Sequence, residues 1–249
     1  MSPEHQPSSA GHYSYTLYAD PAMAEQFDRA RFGGPIGELL AETQADLLRA
    51  YAGEGGDVLD VGTGTGRAAL VLARAGARVT AVDASAEMLR VARARAESLG
   101  VAIAFQPGDA HRLDYPDRAF DTAVSLRVLM HTPGWRQCVG ELCRVARARV
   151  IVDYPALLST AALQSGARRA AHVIGLRTEP YRVFSDAQIR GELARHGFRI
   201  TRTHRQFVLP IAVHKRLGSR GLTERTEGAL GRVGLRALFG SPVTVLAER

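Results

Sequence analysis

The chain has 249 residues, 46% of them hydrophobic and 23% charged, with a formal net charge of +7. That length fits one well-filled α/β domain with modest additions, and it is short for a cofactor domain plus a full second catalytic domain. The positive excess is almost all arginine, with Lys215 the only lysine. Arginine, alanine, glycine and valine rise together in GC-rich coding sequence, so the charge by itself is a weak argument for nucleic acid or an anionic membrane as partner. The polar start, Met1 to Gly11, has no apolar run or basic lead-in, and no stretch approaches the roughly 20 apolar residues of a membrane span. No secretory signal and no transmembrane segment are expected, and a cytoplasmic protein follows.

In chain order, residues 1–12 read as a disordered tail and 13–249 as a single domain. Residues 13–55 form an N-terminal cap in which Leu39, Leu40, Ala45, Leu47, Leu48 and Tyr51 predict helices over the sheet. Strand and helix then alternate: strand 57–61, helix 66–75, strand 78–82, helix 86–99, strands 101–106 and 120–125, helix 133–147, strand 148–153. Such alternation predicts a parallel, doubly wound α/β sheet. Ser85 is placed to cap the helix that Gly100 ends, and Thr132-Pro133 to start the helix carrying Trp135, Val139 and Leu142. Ser185-Asp186-Ala187-Gln188 has the spacing of a capping box, with Phe184 and Ile189 at the staple positions and Gly197 as the stop. Phe198 to Val208 and Val243 to Ala247 read as the last strands, so that 56–208 and 241–249 make up the core. Residues 209–240 are an insertion whose apolar face is edged by Arg225, Arg232 and Arg236. Such a face suits a greasy substrate, peripheral membrane contact, or plain packing on the sheet. Cys138 and Cys143, five apart, match neither a redox pair nor a zinc spacing and read as core residues.

The densest signal is Val58-Leu59-Asp60-Val61-Gly62-Thr63-Gly64-Thr65-Gly66, an apolar strand running into a glycine turn before a helix. Glycine lets backbone lie against a ligand, and the helix start offers amides to a negative group. The dinucleotide pattern needs glycine at 62, 64 and 67, but position 67 is Arg67. A short-chain dehydrogenase is excluded by its Tyr-x-x-x-Lys pair, since four residues before Lys215 stands Ile211. A second strand closes on Asp83, a third runs into Gly108-Asp109-Ala110, and a fourth, Phe120 to Ser125, leads to Leu126-Arg127-Val128-Leu129-Met130-His131.

With these four segments in order, the chain resembles the class I S-adenosylmethionine-dependent methyltransferases, and among them the small-molecule enzymes of the ubiquinone and menaquinone biosynthesis type. The resemblance covers 57–153 well and the remainder in outline. It implies a Rossmann-like seven-stranded sheet with an antiparallel last strand, and S-adenosyl-L-methionine as cofactor. To the cofactor it assigns Asp60, Gly62, Thr63, Gly64, Gly66, Asp83, Ala84, Met88, Asp109, Ala110, His111, Ser125, Leu126 and Arg127. Asp83 falls to the ribose hydroxyls and Asp109 to the adenine amino group. His131, just past the fourth strand, is the first choice for a base or substrate-orienting group, with a structural role in the turn as the alternative. Tyr154, past the fifth strand, is a donor or a wall of the site. Tyr13, Tyr15 and Tyr18 are placed over the cofactor or in the packing of the cap, and Arg127, Arg177, Glu179 and Tyr181 are candidates to face the substrate.

Missing motifs narrow the acceptor. Ser125-Leu126-Arg127-Val128 lacks the Asn/Asp-Pro-Pro-Tyr/Phe motif of exocyclic amino methylation, the paired glutamates of arginine methyltransferases are missing, and no carboxylate cluster points to magnesium. The reading is methyl transfer to O, C or N of a small, lipophilic or lipid-linked acceptor, with nucleic acid disfavoured. The alternatives are a cofactor-binding sensor or scaffold, and an RNA methyltransferase.

Overall fold

A computed structural model describes residues 28, 31–173 and 181–249. The tail and Tyr13, Tyr15, Tyr18, Arg177 and Glu179 lie outside the described residues. Among the described residues no helix is long and apolar enough to cross a membrane.

The sheet has seven strands in the order β3-β2-β1-β4-β5-β7-β6. These are β1 (Asp57–Val61), β2 (Arg78–Asp83), β3 (Ala104–Pro107), β4 (Phe120–Ser125), β5 (Ala146–Tyr154), β6 (Arg199–Phe207) and β7 (Ser241–Glu248). The pairings among β1 to β5 are parallel, and β7 runs antiparallel to both β5 and β6. This is the doubly wound sheet with a reversed last strand. The helices are α1 (Gly34–Ala52), α2 (Arg67–Arg74), α3 (Ala86–Ser98), α4 (Trp135–Val145), α5 (Thr160–Val173), α6 (Asp186–Arg195), α7 (Ile211–Leu217), α8 (Arg220–Arg232) and α9 (Leu235–Phe239).

Period-two alternation sorts the strand side chains into two layers. Val58, Val79, Ala81, Val124 and Ile151 pack with Leu48, Tyr51 and Leu72 of α1 and α2. Leu59, Val61, Val82, Ala123, Val150 and Val152 pack on the other face with Trp135, Leu142, Phe184 and Leu193. Both faces of the central strands are covered, which is why Val58-Leu59 in β1 and Val150-Ile151-Val152 in β5 are apolar at successive positions. Cys138 and Cys143 are fully buried in the second layer, where burial pushes both thiols up to about 12.

Most helix ends follow the sequence. Ser85 Oγ accepts the Met88 amide at 3.1 Å, and both halves of the Ser185/Gln188 capping box are present. Thr132 departs from expectation: its hydroxyl bonds the Val128 carbonyl at 2.9 Å, and α4 begins two residues later from Gly134 with no side-chain cap. The 3₁₀ turn Leu129–His131 has already turned the chain, so that carbonyl is the nearer partner.

The insertion forms α7, α8 and α9. Its anchor is the buried carboxylate of Glu227, which accepts the Val208 and Leu209 amides at 2.8 and 3.0 Å and pairs with His214 Nε2 at 2.8 Å. Thr223 Oγ1 lies 3.1 Å from His214 Nδ1. A charge buried this deeply persists only with its hydrogen-bonding capacity used, and here every partner comes from β6's end or the insertion itself. The insertion is thereby fixed beside α1, where Lys215 Nζ donates to the Arg31 carbonyl at 2.9 Å.

Candidate functional site

A cavity of about 180 Å³ opens at the carboxyl ends of β1, β2 and β4, where ligands sit in doubly wound sheets. The register Val61↔Val82 brings the glycine turn after β1 against the end of β2, and the Gly62 and Thr63 amides donate to the Val82 carbonyl at 2.8 and 3.0 Å. The three glycines do different work. Gly62, at φ 72°, has no room for a side chain, since a Cβ there would stand 2.3 Å from Val128 Cγ2. Gly64, at φ 55°, faces open space and lines the cavity. Gly66, also left-handed, caps α2 and does not line the cavity.

Two carboxylates frame the turn, Asp60 buried and Asp83 partly buried. Asp60 accepts the Thr63 hydroxyl at 2.7 Å, and burial raises its pKa to about 6. Asp83 accepts the Gly64 amide at 2.7 Å on one oxygen and the Ser85 amide at 2.9 Å on the other. Burial also pushes Asp83 upward, with those amides pulling it back. Ala84, Met88, Ala110, His111, Leu126, Arg127 and His131 complete the wall with Thr63. Asp109 stands just behind, its Oδ1 bonded to the His111 amide at 2.9 Å and lying 2.7 Å from His111 Nδ1, so that it orients the imidazole.

Three expected residues are placed elsewhere. Ser125 is fully buried under the site, its hydroxyl donating to the Val61 carbonyl at 2.9 Å, so it ties β4 to β1. Tyr154 is no wall of the cavity. It is the last residue of β5 and points into the opposite layer, where its ring meets Phe184 edge-on at 6.2 Å and its hydroxyl donates to Asp186 at 2.9 Å. Burial and the neighbouring Asp186 carboxylate hold its phenol well above the usual range, which removes it as an acid or base near neutral pH. Tyr181 likewise bonds the Ala161 carbonyl at 3.1 Å and does not line the cavity.

The sequence reading missed Arg31, Phe32, Gln44 and Arg67, which close the cavity beneath α1. The Arg67 guanidinium lies 3.3 Å from the centroid of the Phe32 ring and bonds Gln44. Burial lowers its pKa to about 10, so it stays charged. Arg127 holds φ 66°, a left-handed conformation costly for a residue with a Cβ, and its amide is held by the buried Asp153 carboxylate. Gly62→Ala is expected to cost several kcal/mol of stability, because the added Cβ meets Val128 at an already strained φ. Chemical denaturation checks it: Val128→Ala added to Gly62→Ala is expected to recover part of the loss, and equal stability of Gly62→Ala and the parent would contradict the close approach.

Comparison with known proteins agrees with this geometry. Residues 58–149 match the methyltransferase domain family. Methyltransferase GfsG of Streptomyces halstedii is 35% identical over 139 residues, 55% of this chain and 46% of that protein. A phosphatidylethanolamine N-methyltransferase of Cereibacter sphaeroides is 40% identical over 95 residues, 37% of this chain and 46% of that one. The matched stretch thus spans under half the length of these relatives. In fold, the chain is similar to the magnesium protoporphyrin IX methyltransferase of Synechocystis PCC 6803 solved with bound S-adenosylhomocysteine. The TM-score is 0.66 at 20% identity, over 94% of this chain and 99% of that one. With the glycine turn, the Asp60 and Asp83 carboxylates and the reversed last strand in place, residues 58–149 match the methyltransferase domain family and the chain has the fold of the methyltransferase solved with S-adenosylhomocysteine.

Proposed function

We propose that the protein transfers a methyl group from S-adenosylmethionine to O, C or N of a small acceptor, lipophilic or lipid-linked acceptors included. The observation that carries this reading is the placement of Asp60 and Asp83 on one face of neighbouring parallel strands, with Gly64 open to the cavity between them. The donor set fits the cofactor: a buried carboxylate at Asp60 for its ammonium group, a second at Asp83 for the ribose hydroxyls, and Met88, Ala110 and Leu126 as apolar walls for the base. Asp109, with His111 fixed by it, is assigned to the adenine amino group. When bound, S-adenosylmethionine supplies an electrophilic methyl carbon on a sulfonium.

The remaining work belongs to the chain. Methyl transfer needs donor and nucleophile in contact, in line and dry, an effect worth roughly 7 to 11 kcal/mol in well-oriented systems. Phe32 and Arg67 under α1 form the roof that keeps water out. His131 sits on the cavity wall with its ring nearly buried, placed to take a proton from an acceptor that must lose one. The insertion supports the lipophilic part of the reading: Val213, Leu217, Leu222, Val233, Leu238 and Phe239 are exposed on α7 to α9 among Arg216, Arg225 and Arg232.

Asp83→Ala is expected to weaken S-adenosylmethionine binding by about 1 to 3 kcal/mol, the range for losing a charged hydrogen-bond acceptor. Calorimetry reads this directly, and an unchanged dissociation constant would contradict the ribose role. His131→Ala is expected to leave that affinity nearly intact while turnover on the acceptor falls by about a hundredfold. Full turnover in the variant would leave His131 a structural residue of the 3₁₀ turn.

A further inference from the structure

Helices of a soluble domain normally turn their apolar side to the core, and the insertion does the reverse. The side chains buried on α7 and α8 are His214, Thr223 and Glu227, all polar, and α9 buries none. Ile211, Leu230 and Leu235 are half-buried, while Val213, Leu217, Leu222, Val233, Leu238 and Phe239 are exposed, Val233 by 71% and Leu238 by 62%. Helical spacing gathers the exposed set. Val213 and Leu217 stand four apart on α7, and Leu222, Ala229 and the C-cap Val233 follow one flank of α8, beside the Thr223–Glu227 face and not on it. The opposite flank, turned to α1, carries charge instead, with Lys215 at the Arg31 carbonyl and Arg220 at Glu42. Single apolar side chains are ordinary at a surface, but six from one polar-anchored stretch mark an interaction site.

The charges say what kind of surface fits. Residues 209–240 hold six basic side chains against two carboxylates. Of the two, Glu227 is consumed in the buried anchor and Glu224 pairs with Arg220. The elements packed against the insertion are α1 and β6. From α1 come Glu38, Glu42 and Asp46, of which Glu42 meets Arg220 and Asp46 meets Arg49, while β6 brings arginines and no carboxylate. Glu38 is thus left against Arg216, Arg225, Arg232 and Arg236, all exposed and none in an ion pair among the described residues. An apolar surface set among arginines suits a partner that is greasy within and negative at its face.

We propose that α7 to α9 dock on the surface of an anionic lipid membrane, with Leu217, Leu222, Val233, Leu238 and Phe239 entering the headgroup boundary and the four arginines meeting lipid phosphates. A second copy of the chain fits less well, since a two-fold interface sets the same patch against itself and arginine against arginine. The buried Glu227–His214 anchor holds the helices on the domain while their apolar side is offered outward. Docking stands on the insertion alone. Its consequence, that α7 at the Arg31 border of the larger cavity brings a lipid-borne acceptor to the site, rests on the methyltransferase reading.

The test is co-flotation of the full chain with vesicles of phosphatidylcholine alone and of phosphatidylcholine and phosphatidylglycerol in equal parts. Binding is expected to the anionic vesicles and not to the neutral ones, and to weaken as salt is raised. Vesicle affinity is expected to fall about tenfold in Arg225→Glu and about thirtyfold in the double variant Val233→Glu with Leu238→Glu. Arg74→Glu makes the same charge change at the exposed end of α2 and is expected to bind nearly as the parent does. All four positions are exposed, and thermal unfolding of each variant verifies that it folds. No binding to anionic vesicles, equal binding to both kinds, or equal losses in Arg74→Glu and Arg225→Glu overturns the proposal. Concentration-dependent dimerisation in sedimentation that the double variant abolishes also overturns it, because the patch then belongs to a second copy. Flotation is read without cofactor, so its failure is distinct from a failure to bind S-adenosylhomocysteine, which overturns the methyltransferase reading.

Discussion

Two carboxylates at the ends of adjacent parallel strands, Asp60 buried and Asp83 partly so, are the constraint on which the site is built. Burial is unfavourable for a charged group, and the chain meets that cost with donors placed by the fold. The Gly64 and Ser85 amides hold Asp83, and the Thr63 hydroxyl holds Asp60. The same bonds shape the turn. Gly64 is turned so that its amide meets Asp83, and Gly62 approaches Val128 too closely for any side chain. Glycine turn, carboxylates and strand register therefore depend on one another, and a change in any one moves the cavity floor.

Strand parity explains which acids gather there. Asp60 shares a face with Val58, Asp83 with Val79 and Ala81, and Asp153 with Ile151, the face packed under α1 and α2. Odd and even positions on three strands thus bring three carboxylates to one side of the sheet, with α1 above them. Arg67, at the start of α2, and Arg127, past β4, enter the same space and keep it from being purely acidic. The result is a space beneath α1 in which carboxylates from β1, β2 and β5 meet the Arg67 and Arg127 guanidiniums.

Much of this was legible in the sequence because it is local. The glycine spacing, the acid closing each strand, the Ser85 cap and the Ser185 capping box are signals within a few residues of the structure they dictate. What was not legible depends on distant packing or on a single residue of strand length. Arg31, Phe32 and Gln44 reach the site only because α1 lies across the sheet, and no short-range pattern marks that. Tyr154 was misplaced because β5 runs one residue past 153, and each added residue flips the face. Asp153 received the cleft and Tyr154 the core. In the same way Ser125, the last residue of β4, serves the sheet and not the cavity. The insertion's apolar content was visible, but its anchor, a glutamate, a histidine and a threonine buried together, required the contact between α7, α8 and the end of β6.

The pKa of Asp60 offers the most direct test of the account. Its free-state value of about 6 means that below this pH the carboxyl holds a proton, which a cationic group of the ligand must expel on binding. S-adenosylhomocysteine affinity, measured calorimetrically from pH 5 to 8 in buffers of different ionisation heat, is predicted to be level above about pH 7. It should fall toward tenfold per unit below about pH 6, with a proton released on binding. A flat affinity across that range, with no proton release, would contradict the claim that the buried carboxylates hold the cofactor.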